Sequence, residues 1–246
     1  MAQVYAIGDI HGQLDLLRSA HARITADAGT DNPRIVHIGD LLDRGPDSRG
    51  VVDYLIEGQR AGRDWIVVKG NHDRFLPRLI TNPEWIDSGL ASGRHWLDHT
   101  GLGAAATLRS YGIDPDQPKD AIIAEARAKV PTHHVKWLKS LPNWYLDPHG
   151  LFVHAGIRPG VDIQDQAEQD LVWIRQGWLE NTRDHGVLVV HGHTALDHAT
   201  HYGNRLNIDS GAAYGGPLSA IVLDDDGASL LVEGGGRQPL RPGIAQ

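Results

Sequence analysis

A chain of 246 residues with 41% hydrophobic content buries a full core, and no break in composition marks a linker, so a single domain over residues 1–246 is expected. The absence of cysteine excludes disulfides, thiolate metal sites and a cysteine nucleophile, which leaves His, Asp, Glu and Asn as metal donors. A net charge of −8 argues against coating bulk nucleic acid; no apolar run approaches the ~20 residues that span a bilayer, and no basic segment precedes Val4, so a soluble, cytoplasmic protein without membrane contact is expected.

In chain order, short β-branched runs alternate with amphipathic segments, the pattern of an α/β fold. Val4 to Ile7 reads as a strand, Leu14, Leu17 and Ile24 as a helical face, and Ile35 to Ile38 as a strand. Val51, Val52, Leu55 and Ile56 mark a second helix before a strand at Ile66 to Val68. Between about Phe75 and Leu141 the texture turns to Ala, Trp and Leu, with Leu97, Ala104, Leu108 and Tyr111 at helical spacing, so a helical insert over about 75–141 is expected. Strands resume at Leu151 to Val153 and Val187 to Val190. The chain closes in antiparallel strands with turns at Tyr202 to Asn204 and Asp225 to Gly227.

Five apolar runs end alike: "YAIGDIH" at Asp9 and His11, "VHIGD" at Asp40, "VVKGNHD" at Asn71 and His72, "LFVHAG" at His154, and "VVHGHT" at His193. One Gly-Asp after a strand is ordinarily a turn, and one His there is ordinarily structural. Five such tips differ, because open α/β sheets place their sites at the carboxyl ends of strands, and clustered carboxylates and imidazoles are costly without a cation. Other sets fail this test. His95 and His99 lack the glutamate of a zinc helix and read as packing, His133 and His134 read as surface, and "LDDDG" around Asp224 and Asp226 reads as a hairpin turn.

The series "GDIHG", "GDLLDRGP", "GNHD", "VHAG" and "HGHT", from Gly8 to His193, resembles the calcineurin-like metallophosphoesterases, and within them the phosphoprotein phosphatases in their small bacterial and phage form. The resemblance implies an αββα sandwich with a helical insert and antiparallel C-terminal strands. It implies two divalent cations, one on Asp9, His11 and Asp40 and the other on Asp40, Asn71, His154 and His193, with Asp40 shared. In "HGHT" the ligand is His193, and His191 belongs to the strand or its support. Many relatives with other substrates carry a further His where this chain has Ala195, which favours the phosphatase branch.

Two such cations activate a bridging hydroxide for direct attack on phosphorus and leave a site of roughly +1 for a phosphate dianion. Arg44, from "GDLLDRG", and Arg175, from "LVWIRQ", supply fork-shaped donors for phosphoryl oxygens. His72 is placed to protonate the leaving alkoxide, with Asp43 holding its ring and raising its pKa. The resemblance points to manganese, with Fe, Zn and Co open to the same N/O donors. The expected activity is that of a serine/threonine protein phosphatase on phosphorylated protein. A dinucleoside tetraphosphate hydrolase acting on a small phosphoester is the alternative, and a metal-binding scaffold without activity the alternative of another class. The insert, with Trp85, Trp96, Trp137 and Trp144, either caps the site or packs, and its aromatic content favours packing.

Overall fold

A computed structural model describes residues 3–90 and 92–243. Its first half is β1 (Val4–Ile7), α1 (Leu14–Ala28), β2 (Ile35–His37), α2 (Ser48–Arg60) and β3 (Trp65–Val67). Each boundary has a local cause. Gly29, at a φ of 63°, ends α1 with its N–H on the Thr25 carbonyl, a conformation only glycine adopts freely. Asp47 starts α2 by accepting from the Gly50 N–H at 2.7 Å. Val51, Val52, Leu55 and Ile56 then form the buried face of that helix.

The insert is α3 (Phe75–Thr81), two single 3-10 turns at Trp96–Asp98 and Thr100–Leu102, α4 (Ala104–Ser110), α5 (Lys119–Lys129) and α6 (Thr132–Ser140). The spacing that joined Leu97 to Leu108 does not lie on one helix, because Gly103 sits left-handed at φ 90° between them. Trp144 does not belong to the insert. It opens β4 (Trp144–Asp147), which pairs antiparallel with β5 (Gly150–Val153), Trp144 opposite Val153.

The remainder is α7 (Glu168–Trp173), β6 (Val189–His191), β7 (Thr200–His201), β8 (Arg205–Asn207), β9 (Ala220–Asp224), β10 (Gly227–Leu231) and β11 (Arg237–Pro239). The sequence showed neither α7 nor β11, each only a turn or a few residues long. The Asp224 carboxylate accepts from the Asp226 N–H at 3.0 Å, so "DDG" is the β9–β10 turn.

The strands form two sheets, one in the order β11-β10-β9-β1-β2-β3 and the other β4-β5-β6-β8-β7. Alternate residues face opposite ways. Val4, Ala6, Val36, Ile221 and Leu223 of the first sheet meet Phe152, Val190 and Leu206 of the second in a sealed inner core. Tyr5, Ile7, Ile35 and Val222 point outward onto α1, α2 and the insert. The second sheet's outer face, Leu151, Val153 and Val189, is covered by Leu171 of α7 and by Trp178. This is the expected αββα sandwich, with a thin fourth layer. Among the described residues no helix is long and apolar enough to cross a membrane.

Candidate active site

β1, β2 and β3 run parallel, as do β5, β6 and β8, and their C-terminal tips meet at one edge of the sandwich. β1 brings Asp9 and His11, β2 Asp40, β3 Asn71 and His72, β5 His154, and β6 His193. None of these side-chain-bearing residues is more than 8% exposed. A sixth tip, that of β8, adds Asp209, which the sequence did not reveal.

The polar atoms converge. His11 Nε2 lies 3.4 Å from Asp40 Oδ2, and His154 Nε2 lies 3.3 Å from Asp40 Oδ1, so the two carboxylate oxygens face different imidazoles. His154 Nε2 also meets Asn71 Oδ1 at 2.9 Å and His193 Nδ1 at 3.2 Å. Asp9 Oδ2 accepts from the His193 backbone N–H at 3.0 Å.

Backbone carbonyls fix the tautomers. His11 Nδ1 donates to the Leu42 carbonyl at 2.7 Å and His154 Nδ1 to the Ile38 carbonyl at 2.9 Å. Both rings therefore turn an Nε2 lone pair inward, the arrangement by which metal-ligating imidazoles are held. In this structure Arg44 Nη1 places a cation on the His11 lone pair at 2.6 Å. Asp9 Oδ1 and His193 Nε2 are sealed from solvent without a hydrogen-bond partner among the described residues. A Cβ at Gly192 would overlap Asp9 Oδ1. At this edge two sets of donor atoms lie mutually within 4.8 Å: His11, Asp40 and His72, and Asp40, His154 and His193. Buried acceptors crowded in this way, with orphans among them, fit divalent cations.

Electrostatics sort these groups. Burial, then the Asp209 and Asp40 carboxylates, push the Asp9 carboxyl well above its usual range. Burial works against the Asp40 carboxylate too, but the imidazoles of His154, His72 and His11 hold it well below the usual range. Burial lowers the pKa of His154 and, more strongly, that of His193, and neutral imidazole is the form that binds metal.

Backbone strain marks the same place. Among the described residues the non-glycine positions of positive φ are His11 (46°), Asp40 (48°), Asp43 (73°), Arg44 (68°) and His193 (65°). A left-handed L-residue costs about 1–3 kcal/mol, and such residues gather at functional sites.

Beside the cluster, His72 Nδ1 donates to Asp43 Oδ2 at 2.7 Å. The insert completes this pair: Trp96 Nε1 donates to the same oxygen at 3.0 Å, and Thr107 Oγ1 donates to Asp43 Oδ1 at 2.7 Å. The bond to Asp43 raises the His72 pKa as expected. Burial is the larger effect, however, and the ring ends below its ordinary value. Asp73 accepts from the Leu41 and Gly70 N–H groups, both at 2.8 Å, and so ties the β2 tip to the β3 tip.

A cavity of about 340 Å³ opens over the cluster. Arg44 and Arg175 line it, and Arg175 Nη2 donates to the His193 carbonyl at 3.2 Å. Leu90, His99 and Leu102 of the insert form one wall and the exposed Tyr214 another, its ring centroid 5.2 Å from the Arg44 guanidinium carbon. The insert therefore both packs and caps, and His99 is a cavity residue. His191 is not; it packs against Trp178 at 5.4 Å between ring centroids. His134, read as surface, is buried between Asp53 (2.8 Å) and Tyr111 (3.0 Å).

Known proteins share the family and the fold of this chain. The family model for calcineurin-like phosphoesterases matches residues 2–234. An asymmetrical bis(5'-nucleosyl)-tetraphosphatase of Anoxybacillus flavithermus is 26% identical over 87% of this chain and 88% of its own. Serine/threonine-protein phosphatase 1 of Salmonella typhimurium is 28% identical over 88% of this chain and 89% of its own. Among solved structures, a candidate diadenosine tetraphosphatase is 25% identical at a TM-score of 0.65, over 94% of this chain and 93% of that one. A cold-active protein-tyrosine phosphatase of a psychrophilic Shewanella shares the fold at a TM-score of 0.67 and 16% identity, over 98% of this chain and 81% of that one.

Proposed function

The chain belongs to the calcineurin-like phosphoesterases, hydrolases that use divalent metals, and from that premise we propose that it is a phosphomonoesterase acting on serine and threonine phosphoproteins, with phosphotyrosine tolerated. The observation that carries this reading is the His72–Asp43 pair, 2.7 Å apart and sealed by Trp96 and Thr107. Serine and threonine leave phosphorus as strongly basic alkoxides and need a proton in the transition state. A nucleotide leaves as a stabilised phosphate anion and needs one far less.

Asp9, His11 and Asp40 would hold one cation, and Asp40, Asn71, His154 and His193 the other. The division of the Asp40 oxygens between His11 and His154 supports the sharing. Two divalent cations there supply an activated water and neutralise phosphoryl charge, and the N/O donors suit Mn, Fe, Zn or Co. Arg44 and Arg175 bind the phosphoryl oxygens from the cavity wall. His72 carries the proton on Nε2 and passes it to the leaving oxygen, while Asp43 fixes the ring at Nδ1.

Hydrolysis of a dinucleoside tetraphosphate is the second reading. It is favoured by the exposed Tyr214 ring beside Arg44 at the cavity mouth, a surface on which a nucleobase can stack. Turnover of Mn-loaded protein on a phosphoserine peptide, a phosphotyrosine peptide and diadenosine tetraphosphate separates the two. The phosphoserine peptide should give the highest kcat/KM. Preference for the dinucleotide by tenfold or more would replace the first reading with the second, and metal-loaded protein inert toward all three would leave a scaffold.

A further inference from the structure

We propose that Asp209, at the tip of the sixth strand, is an outer ligand of the metal pair: its free carboxylate oxygen accepts a hydrogen bond from water on the cation held by Asp9, His11 and Asp40. The inference rests on the two-cation reading above.

Topology places the residue. β8 pairs in parallel with β6 from Val189 opposite Arg205 to His191 opposite Asn207, so its tip emerges beside His193. β8 is also brought against β1 across the sandwich. Gly8 makes this approach attainable, since a Cβ there would overlap the Ile208 carbonyl oxygen. Asp209 thereby arrives beside Asp9, is only 6% exposed, and lines the same cavity as His11 and Asp40.

The bonding of Asp209 is half explained. Oδ1 accepts from the Gly211 N–H at 3.0 Å and closes a tight turn. Among the described residues no donor reaches Oδ2, and no Lys, Arg or His lies within ion-pair distance of the carboxylate. A third carboxylate set beside Asp9 and Asp40 repels both of them and is unfavourable on its own account. A cation nearby reverses the sign of that term.

Asp209 lies outside the tightest donor sets. At this edge the donor sets within 4.8 Å are His11, Asp40 and His72, and Asp40, His154 and His193; Asp209, like Asp9, is in neither. The first cation also has fewer donors from the chain than the second, and Ala195, the residue after "HGHT", supplies none. Its remaining positions belong to water and substrate, and a fixed acceptor beside them orients that water and favours the cation.

Asp209→Asn separates this role from the turn. The amide oxygen can keep the Gly211 bond, while the free oxygen becomes an NH2 group that cannot accept from water. Asp209→Ala removes both. Metal-free protein is titrated with Mn²⁺ by calorimetry, bound Mn is counted after gel filtration, and the thermal midpoint of the metal-free form is recorded. Wild type should bind two Mn. Asp209→Asn should keep the metal-free midpoint and bind one Mn normally and the other about 10- to 100-fold more weakly. Combined with His193→Ala, which removes the other site, it should leave no tight site. Wild-type affinities in Asp209→Asn, with a lowered midpoint in Asp209→Ala, would reduce Asp209 to a turn residue. Fewer than two Mn on wild type would overturn the two-cation reading and this inference with it.

Discussion

Asp43→Asn tests the proposed acid most directly, because it removes a charge and almost nothing else. The Asp43 carboxylate is fully buried and accepts from His72, Trp96 and Thr107 at 2.7, 3.0 and 2.7 Å. An asparagine can keep its oxygen toward His72 and Trp96 and turn its NH2 toward Thr107, whose hydroxyl also accepts from the residue-43 N–H at 2.9 Å. What is lost is the ionic character of the bond to the imidazolium. A hydrogen bond to a charged group contributes about 1.5–3 kcal/mol, and each 1.36 kcal/mol is tenfold in rate. The substitution should therefore lower kcat on a phosphoserine peptide by about 10- to 150-fold, against about 10²–10⁴ for His72→Asn. With p-nitrophenyl phosphate, whose phenolate leaves with little help, both losses should be far smaller. The double variant should resemble His72→Asn alone, since Asp43 acts through that ring. Equal losses on the two substrates at unchanged metal content would mean that His72 positions the substrate or the metals. Additive losses in the double variant would mean that Asp43 works independently of it.

Chelation should abolish activity and lower the thermal midpoint while the far-UV spectrum stays native; full activity in chelator with less than one metal per chain would refute the metal reading. His193→Ala should lose metal and activity, whereas His191→Ala, away from the cavity against Trp178, should keep most of both, and metal analysis decides. Arg44→Gly and Arg44→Ala should lose similar activity, but the glycine variant should be about 1 kcal/mol more stable in urea, because Arg44 sits at φ 68°; equal stabilities would contradict that. His21 Nε2 and His37 Nε2 lie 2.9 Å apart behind the sheet; burial, with the charges of His37 and Arg63, lowers His21 to about 2, and burial lowers His37 to about 4. Both folded values lie below the ordinary 6.5, so the unfolded chain protonates first: this stability is complete above about pH 6.5 and declines as pH falls toward 4, and a His21→Leu, His37→Leu variant should show a flatter decline in its denaturant midpoints.

The parts of the site that the sequence showed are those encoded locally. Each of Asp9, Asp40, Asn71, His154 and His193 follows its strand within a few residues, so an apolar run and a polar tip are read together. The positive-φ residues all lie in stretches singled out for their chemistry. Distant partners left no such mark. Trp96 and Thr107 reach Asp43 across 53 and 64 positions, and nothing in "RHWLDH" distinguishes a hydrogen-bonding indole from a packing one. Asp209 sits in "NIDSG", where Asp before Ser and Gly reads as a turn, and its Oδ1 does make that turn. His99 was masked by its four-residue spacing from His95. The spacing implied one helix, but His95 caps a 3-10 turn through a 3.2 Å bond from the Leu97 N–H, and His99 closes that turn at the cavity.

A site of this kind is costly to the fold that carries it. Five left-handed residues at about 1–3 kcal/mol each approach the whole net stability of a typical domain, about 5–15 kcal/mol, before repulsion among Asp9, Asp40 and Asp209 is counted. The inner core and the insert oppose that cost: Phe152, fully buried between the sheets, is a side chain whose loss ordinarily removes about 3–5 kcal/mol. The insert does so where the strain is greatest. Trp96 lies near-parallel to Phe75 at 6.0 Å between ring centroids and bonds Asp43 through its Nε1 edge, so one ring serves the core and holds a strained site residue. The imidazoles around Asp40 and the Arg44 guanidinium near Asp9 and Asp209 meet the carboxylate repulsion in part. A bound cation relieves it further, and a ligand bound by the folded chain alone stabilises that state by mass action. The metals that make the chemistry would thus also complete the fold around it, which is why chelation is expected to lower the midpoint without dissolving the sheets.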